Sequence, residues 1–521
     1  MNSHLESGSV VRVRGMIQDM LEAEYYPTTA ATKSARRFPM ASSRDQLEER
    51  TPLVVTPIPF TTTWFRHVFG SACAPEHRAK RLRLDESSTA DGGGNNQMDC
   101  DNGGGGKKEQ WWPENDLKSD PQEVPVLAKL YYDLYGQQPN RLRLNEMVEL
   151  VGVLEEEETA NGAMGDDDND VVMGANSSWE QDAVTVPTKV PRLHVLWFSS
   201  VDLDSVACTQ SAILASSNNN VAPTQSLAKA LSIPEPSAAA VWMTLLSMAE
   251  REMLTDSDTW APVQTPNDTT LGCASLGMIL SSTQACEAFQ ATLYSVLSHV
   301  APVVNYLHVT NESLKDLRAP WKKQGRLTPT ALQLPKGSTL IVNVSAVQPG
   351  RLSSDDLETM QALQQLSGGH KIPYRFDGGI KIAFEADCRV FVLSTPVSKN
   401  LLPCTLQVKC DYNAVAASDG SAHDLSTVRD TLGAIRCGGT GTKHHANIAL
   451  SPALLDKAQQ DFIQRRGTAR NNSLPAVTER DFHRWLTLCR LQARSRKAAT
   501  AEVEDWSQAL SVDDAMVASL Q

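Results

Sequence analysis

Residues 275–293, SLGMILSSTQACEAFQATL, constrain this chain most, because they predict a strand, a tight turn and a helix in direct succession. A nucleotide-binding loop at such a junction needs glycines for close backbone approach, a lysine for the phosphates and a serine or threonine for Mg²⁺. Ser282, Thr283 and Gln284 occupy the turn instead. The junction therefore has the outline of a nucleotide-binding site without the residues that hold a phosphate.

A second apolar run, GSTLIVNVSAV at residues 337–347, predicts a buried parallel strand. In an ATPase the end of this strand carries the acidic residues that hold the metal ion. Asn343 and Val344 occupy those positions here. We interpret both departures together as a nucleotide-hydrolase-like scaffold that has lost its catalyst, which predicts a binding protein with no enzymatic activity and no cofactor.

The composition sets further limits. A length of 521 residues predicts about three domains. The net charge of −13, from 61 acidic and 48 basic residues, opposes a general attraction to nucleic acid, so we expect any DNA contact to be local or made through a partner. The ten cysteines form no CxxC pairs and the histidines lack zinc-finger spacing, which argues against a metal site and a disulfide framework.

The sequence also bears on location. No apolar run approaches the roughly 20 residues of a membrane-spanning helix, and the N-terminus lacks a signal-peptide core, so we expect no membrane contact. The segment HRAKRLRLDE contains a basic cluster of Arg78, Lys80, Arg81 and Arg83. A solvated linker is the alternative, but the cluster is locally basic within an acidic chain, so we predict a nuclear import signal and a nuclear protein.

Changes in periodicity and composition divide the chain into segments. Short strand patterns at both ends of residues 10–154 predict one barrel-like β domain with a long polar insert. The predicted segments are the β domain at 10–154 with a disordered insert at about 78–120, an acidic linker at 155–188, an α/β domain at 190–412, a flexible loop at 413–445, a helical domain at 446–498 and a tail at 499–521.

Within the α/β domain, strand patterns at 275–280, 303–310, 338–344 and 389–394 alternate in part with helical patterns at 285–300 and 353–367. This alternation predicts a parallel sheet covered on both faces. Residues 372–386 predict a hairpin that turns at Asp377, Gly378 and Gly379. Ser451 and Thr478 predict the starts of two C-terminal helices.

Four blocks along the chain carry a resemblance to one family. They are VRVRGMIQDMLEAE at 11–24 with TPIPFTTTWFRHVF ending at Phe69; NEMVELVGVL at 145–154 with VPRLHVLWF at 190–198; residues 307–352 with 389–403; and the helical segment 450–491. In this order they resemble the family of proteins that bind the minichromosome maintenance (MCM) complex. Outside the inserts, the resemblance covers nearly the whole chain. The order of the four blocks along the chain carries the resemblance.

The resemblance extends to the MCM helicase subunits. The C-terminal helices look like their lid helices, and CRVFVLSTP at 388–396 is similar to their sensor strand, with Thr395 where the ATPases place asparagine. The resemblance implies an α/β fold: a degenerate AAA+-like parallel sheet domain with a C-terminal helical lid, preceded by an N-terminal OB-like β-barrel domain. It also implies a partner of MCM helicase subunits that regulates assembly and unloading of the complex, with indirect chromatin association.

Two other functions stay open. Arg12 and Arg14, with Tyr25 and Tyr26, could bind single-stranded nucleic acid, although strand arginines are more often structural and the net charge opposes it. A residual ATPase is the second alternative. The segment CGGTGTKHH at 437–445 imitates a phosphate loop, but no strand precedes it and its lysine follows a threonine.

Overall fold

The computed structural model describes residues 8–27, 47–70, 125–131, 142–155, 191–201, 203, 222–249, 251–253, 260–262, 272–323, 325–412, 422–436, 448–471 and 475–520. The N-terminal part contains β1 (Val10–Met20), β2 (Glu24–Pro27), β3 (Leu47–Thr56), α1 (Thr63–Gly70), β4 (Val126–Tyr131), β5 (Met147–Glu155) and β6 (Arg192–Ser200).

These six strands form one sheet in the order β1-β5-β6-β4-β3-β2. Because β1 also pairs with β3, five of the strands close into a barrel and β2 extends it at the edge of β3. Gly15 lies where β1 meets β3, and a Cβ there would be 2.4 Å from the Thr56 carbonyl oxygen. Ile17, Leu53, Leu130, Leu150 and Leu193 fill the interior.

Strand β6 corrects the predicted domain boundary. We expected residues 190–198 to open the α/β domain, but β6 pairs antiparallel with β5 and parallel with β4 inside the barrel. The physical reason is that the other barrel strands leave an open edge that only a fifth strand can close. The boundary between the domains therefore lies after Ser200.

The α/β part is built around a parallel sheet. Its elements are α2 (Pro223–Leu231), α3 (Glu235–Leu246), β7 (Arg251–Met253), β8 (Trp260–Pro262), β9 (Ser275–Ile279), α4 (Thr283–Val300), β10 (Val304–His308), β11 (Trp321–Lys323), β12 (Arg326–Thr328), β13 (Thr339–Asn343), α5 (Ser354–Gly369), β14 (Lys371–Arg375), β15 (Lys381–Glu385), β16 (Arg389–Ser394) and β17 (Leu406–Lys409). Five strands run parallel in the order β10-β13-β16-β9-β17. A smaller sheet has the order β12-β11-β14-β15.

The predicted strands and helices around the sheet are confirmed. Helix α5 begins after Ser353, whose side chain forms a capping box with Asp356. Strands β14 and β15 form the expected antiparallel hairpin around Asp377–Gly379. The alternation places α5 and the hairpin over one face of the sheet, and α3 and α4 over the other.

Two C-terminal segments differ from the prediction. The remaining elements are α6 (Ala422–Arg436), β18 (Ala449–Leu450), α7 (Pro452–Asn471), α8 (Glu479–Ser495), β19 (Thr500–Ala501) and α9 (Val503–Ser519). Helix α6 lies within the segment predicted as a flexible loop, and α9 lies within the predicted tail. Both helices bury apolar side chains in the main core, α6 through Leu425 and Val428 and α9 through Trp506 and Met516. Burial in the core explains why both segments are helical.

The barrel contacts the α/β part through buried hydrogen bonds. Gln18 Nε2 donates to the Leu327 carbonyl oxygen at 2.7 Å, and Gln333 Nε2 donates to the Gln18 carbonyl oxygen at 2.6 Å. Asp19 accepts a hydrogen bond from the Leu327 backbone N–H at 2.8 Å and pairs with Lys322 at 3.4 Å. β1 is thus fixed to β12.

Across the described segments, no helix is long and apolar enough to cross a bilayer.

Candidate functional site

The turn between β9 and α4 contains only Leu280, Ser281 and Ser282. The Leu280 backbone N–H donates to the Ser394 carbonyl oxygen at 2.9 Å, which fixes the turn against β16. The Ser282 hydroxyl caps α4 by accepting a hydrogen bond from the Ala285 N–H at 3.2 Å. A phosphate-binding turn needs such N–H groups for its ligand, whereas here the cap occupies one of them.

Thr283 and Asn343 are connected through the loop after β13. Thr283 Oγ1 donates to the Ser345 carbonyl oxygen at 3.3 Å. The backbone N–H and the hydroxyl of Ser345 donate to Asn343 Oδ1 at 3.0 and 2.7 Å. Asn343 Nδ2 donates to Gln290 Oε1 at 2.8 Å, so both ends of this fully buried amide are satisfied within the protein.

Val344 and Thr395 lie apart from this network. Val344 is fully buried in the core with α5, and its N–H donates to the Leu393 carbonyl oxygen at 3.0 Å. The Thr395 N–H donates to Ser398 Oγ at 3.0 Å, and the two hydroxyl oxygens are 3.1 Å apart. The structure therefore brings Ser282, Thr283, Asn343 and Thr395 to the carboxyl ends of neighbouring parallel strands. Thr395 hydrogen-bonds only within its own turn, and Val344 packs in the core.

Cys286 is the most reactive side-chain type at this edge. Its Sγ donates to the Ser394 carbonyl oxygen at 3.5 Å, and burial raises the pKa of the thiol to about 11. A thiol with this pKa stays protonated at neutral pH and is a poor nucleophile. The cysteine thus contributes packing and a hydrogen bond between α4 and β16.

The side chains that join the strand ends are uncharged. They are Ser282, Thr283, Cys286, Gln290, Asn343, Ser345, Thr395 and Ser398. In the described ranges, no group of three His, Cys, Asp or Glu side chains could hold a metal ion. None of these side chains supplies a charge to a phosphate.

Gln290, Ser345 and Ser398 belong to this edge but were not predicted from the sequence. Gln290 lies in the second turn of α4, and the serines lie in the loops after β13 and β16. A polar glutamine beside buried Phe289 is a weak signal of a hydrogen-bonding role. The partners of the serines depend on how the loops pack, so spacing alone could not identify them.

A cleft of about 250 Å³ lies between β17 and helices α8 and α9. Its lining residues are Cys404, Thr405, Gln407, Arg480, Asp481, Arg484, Asp513, Met516, Val517 and Leu520. Arg484 donates to Asp513 at 2.7 and 3.0 Å and to Asp481 at 2.8 Å. The cleft is slightly smaller than common ligand sites, and its Arg484 charge is already paired. This geometry favours a structural role.

Arg12 and Arg14, the candidates for nucleic-acid binding, both point at Glu149 on the neighbouring strand. Their hydrogen bonds to Glu149 Oε2 measure 2.6 and 2.5 Å. Partial burial raises the pKa of Glu149, but the two arginines outweigh it and hold the pKa below its usual value. These pairs support the structural interpretation of the two arginines. Tyr25 on β2 is exposed.

Other candidates from the sequence lie outside the described residues. They are the basic cluster of Arg78, Lys80, Arg81 and Arg83, and the segment 437–445. Their predicted roles stay predictions.

Comparison with known proteins decides the family. A family model described as mini-chromosome maintenance replisome factor matches residues 1–520. The chain belongs to this family. The family membership that we predicted from four ordered blocks is thereby confirmed.

Relatives in this family share modest identity with the chain. A mini-chromosome maintenance complex-binding protein from Arabidopsis thaliana is 25% identical over 542 residues, which cover 97% of this chain and 87% of the relative. The protein of that name from Salmo salar is 22% identical and covers 98% and 88%. The Homo sapiens protein is 23% identical over 255 residues, 46% of this chain and 37% of the relative.

Proposed function

We propose that this chain is a non-enzymatic partner of MCM helicase subunits, which it escorts and whose assembly and unloading from chromatin it regulates during DNA replication. The observation that carries the proposal is the family match over residues 1–520, because relatives of this chain are named for binding the MCM complex. The uncharged edge at Ser282, Thr283 and Asn343 supports a role in binding rather than hydrolysis.

We interpret the α/β part as a degenerate AAA+-like domain. The first strand of its parallel sheet, β9, lies between β16 and β17, which makes the sheet a doubly wound one whose strand order reverses. Helices α7, α8 and α9 follow this sheet and would be the lid. The closed five-stranded barrel supports an OB-like interpretation of the N-terminal part.

This architecture supplies a physical mechanism. A domain shaped like a helicase subunit can occupy the place of a neighbour at a subunit interface. Because its strand ends carry neutral side chains, it would add neither a phosphate ligand nor a catalytic charge to that interface. If the chain binds a subunit more tightly once that subunit has separated from its neighbour, binding would shift the equilibrium of the helicase ring toward the open form.

The first test is co-purification from cell extract with the tagged full-length chain. We expect MCM subunits to be recovered, and the tag alone to recover none. Recovery of no MCM subunit by the full-length chain would contradict the proposal.

A calorimetric titration with ATP and Mg²⁺ separates this function from a residual ATPase. We expect no saturable heat, because the β9–α4 turn lacks a phosphate loop. Stoichiometric ATP binding would instead support the ATPase alternative. Salt-dependent binding of a single-stranded oligonucleotide, lost on changing Arg12 and Arg14, would support the nucleic-acid alternative.

Nuclear location is part of the same proposal and rests on the basic cluster of Arg78, Lys80, Arg81 and Arg83. Replacing all four by alanine should move a fluorescently tagged chain out of the nucleus. As a control, replacing acidic residues 166–168 by alanine should leave its location unchanged. Unaltered nuclear accumulation of the basic-cluster variant would contradict the role of this cluster.

A further inference from the structure

Helix α7 has an unusually exposed surface. Only Leu454, Ala458 and Ala469 are buried among its 20 residues. By contrast, the apolar side chains of Leu455 and Ile463 are 48% and 67% exposed. A partner that covered these side chains would remove apolar surface from water, which is favourable.

The exposed apolar residues belong to a continuous stripe. Leu455, Gln459, Ile463, Arg466 and Arg470 follow one another at spacings of four, four, three and four residues. At 100° per residue these positions fall within an arc of about 80°. We call these five residues the α7 stripe.

The side chains of α7 that contact the rest of the protein project from a different side of the helix. Arg465 forms a two-point ion pair with Asp514 on α9, and Asp461 accepts a hydrogen bond from Trp506 Nε1. Phe462 packs against Phe482 and Trp485 on α8. The α7 stripe therefore lies beside the surface that attaches the helix to the protein.

The stripe carries positive charge at its C-terminal half. Within the described part of the chain, Arg466 and Arg470 make no ion pair, in contrast to Arg465. Both side chains are exposed. In a chain of net charge −13, the two arginines form a local cationic surface at the C-terminal end of the stripe, and Leu455 and Ile463 lie on its N-terminal side. Its complement carries acidic groups and apolar side chains.

We propose that the α7 stripe is the docking site for an acidic amphipathic helix of an MCM subunit, an inference that rests on the proposed function. Leu455 and Ile463 are eight residues apart, about 12 Å along the helix axis, which matches apolar anchors two turns apart on a partner helix. Arg466 and Arg470 pair with acidic side chains at one end of that helix. Nucleic acid is a poorer complement, because Leu455 and Ile463 offer it no favourable contact.

An apolar surface also lies on the barrel, where Leu196 and Trp197 are 54% and 50% exposed. The neighbouring charges of Arg12 and Glu149 are already paired with each other. This surface therefore specifies no partner chemistry, whereas the α7 stripe does.

The test compares two full-length variants with the same added charge on adjacent residues. Ile463→Glu places an acid inside the stripe, and Gln464→Glu places it on the neighbouring polar flank. We expect Ile463→Glu to weaken the affinity for purified MCM subunits by about tenfold or more, as loss of an interface anchor does. Gln464→Glu should bind within about twofold of the unchanged chain. Both substitutions are at exposed positions, so thermal unfolding should be unaffected.

A second variant tests the charge. Arg466→Gln should weaken binding and reduce its dependence on salt, whereas Arg470 is avoided because its position in the last turn also favours the helix dipole.

If the unchanged chain retains MCM subunits and Ile463→Glu retains them equally, the docking site is wrong and the proposed function stands. If the unchanged chain retains none, both fall. Binding of a labelled single-stranded oligonucleotide that Arg466→Gln abolishes would also overturn docking of a protein helix.

Discussion

The side chain of Asn343, at the candidate edge, is engaged by neighbouring side chains of the protein. The amide of Asn343 accepts two hydrogen bonds from Ser345 and donates one to Gln290. An aspartate at this position could accept from Ser345, but Gln290 would have to turn its amide over and donate through Nε2. Asn343 therefore satisfies its neighbours without the negative charge that a metal-binding carboxylate brings.

Replacing Asn343 by alanine should destabilise the fold. The change leaves Gln290 and Ser345 without their partner in a buried place, which costs about 1–3 kcal/mol. The matched control is Asn311→Ala, since Asn311 makes a similar pair of hydrogen bonds to Gln348 at an exposed site. Urea denaturation should show that Asn343→Ala lowers the free energy of unfolding by clearly more than Asn311→Ala does. Equal losses would contradict the role of the buried network.

Asp505 gives the fold a dependence on acid pH. Burial raises the pKa of Asp505, but hydrogen bonds from Arg496 and from the Glu502 N–H outweigh it, so the pKa lies below the ordinary 3.8. A depressed folded-state pKa stabilises the fold above pH 3.8, and that stabilisation is lost as the pH falls through the folded-state pKa.

We therefore expect Asp505→Asn to lower the free energy of unfolding at pH 7 by about 2 kcal/mol. Between pH 4 and pH 2 the free energy of unfolding of this variant should fall less than that of the unchanged chain. Urea denaturation across this range measures both effects. Glu504→Gln removes an exposed carboxylate from the same first turn, so it should cost only the helix-dipole contribution of about 0.3–1 kcal/mol and should not flatten the pH profile. Parallel pH profiles for the unchanged chain and Asp505→Asn would show that Asp505 does not cause the loss of stability in acid.

Helices rather than loops form the C-terminal part. Helix α9 begins with a capping box between Glu502 and Asp505, and its Trp506 packs against Trp485 and Phe482 of α8. The indole N–H of Trp506 donates to Asp461 on α7 at 2.9 Å. A single tryptophan thus connects three helices.

Trp506→Ala should destabilise the protein by about 3–5 kcal/mol, because it removes a fully buried large side chain and a hydrogen bond. Val503→Ala, at an exposed position of the same helix, should cost less than about 1 kcal/mol. Thermal and urea unfolding measure the difference. If the two variants were equally stable, the packing of Trp506 would contribute nothing to the fold.

At the level of the complete chain, the barrel and the α/β part share a buried polar interface. Asp19 is 3% exposed and holds both the Leu327 N–H and Lys322. Asn145 Nδ2 donates to the Tyr374 hydroxyl at 2.6 Å, which adds a second connection. An interface of this kind makes the two parts unfold and move together.

Asp19→Ala should loosen that connection, because it leaves the buried Leu327 N–H without its acceptor, at a cost of about 1–3 kcal/mol, and reduces Lys322 to its hydrogen bond with the Met20 carbonyl oxygen. Hydrogen exchange should accelerate in β12 and in the C-terminal half of β1, and much less in β16. Glu22→Ala, at an exposed position close by, should leave all three unchanged. Unaltered exchange in β12 for Asp19→Ala would show that the interface does not depend on this carboxylate.

Local patterns along the chain were enough to predict the parallel strands β9, β10, β13 and β16, helix α5 and the hairpin at Asp377–Gly379. These features depend on apolar runs, capping residues and residue types over a few positions, which the sequence displays directly. The membership of β6 in the barrel, the burial of α9 and the pairing of Asn343 with Gln290 and Ser345 depend on contacts between segments far apart in the chain. Packing of distant segments chooses those contacts, because each apolar face and buried polar group has many possible partners until the whole chain is folded.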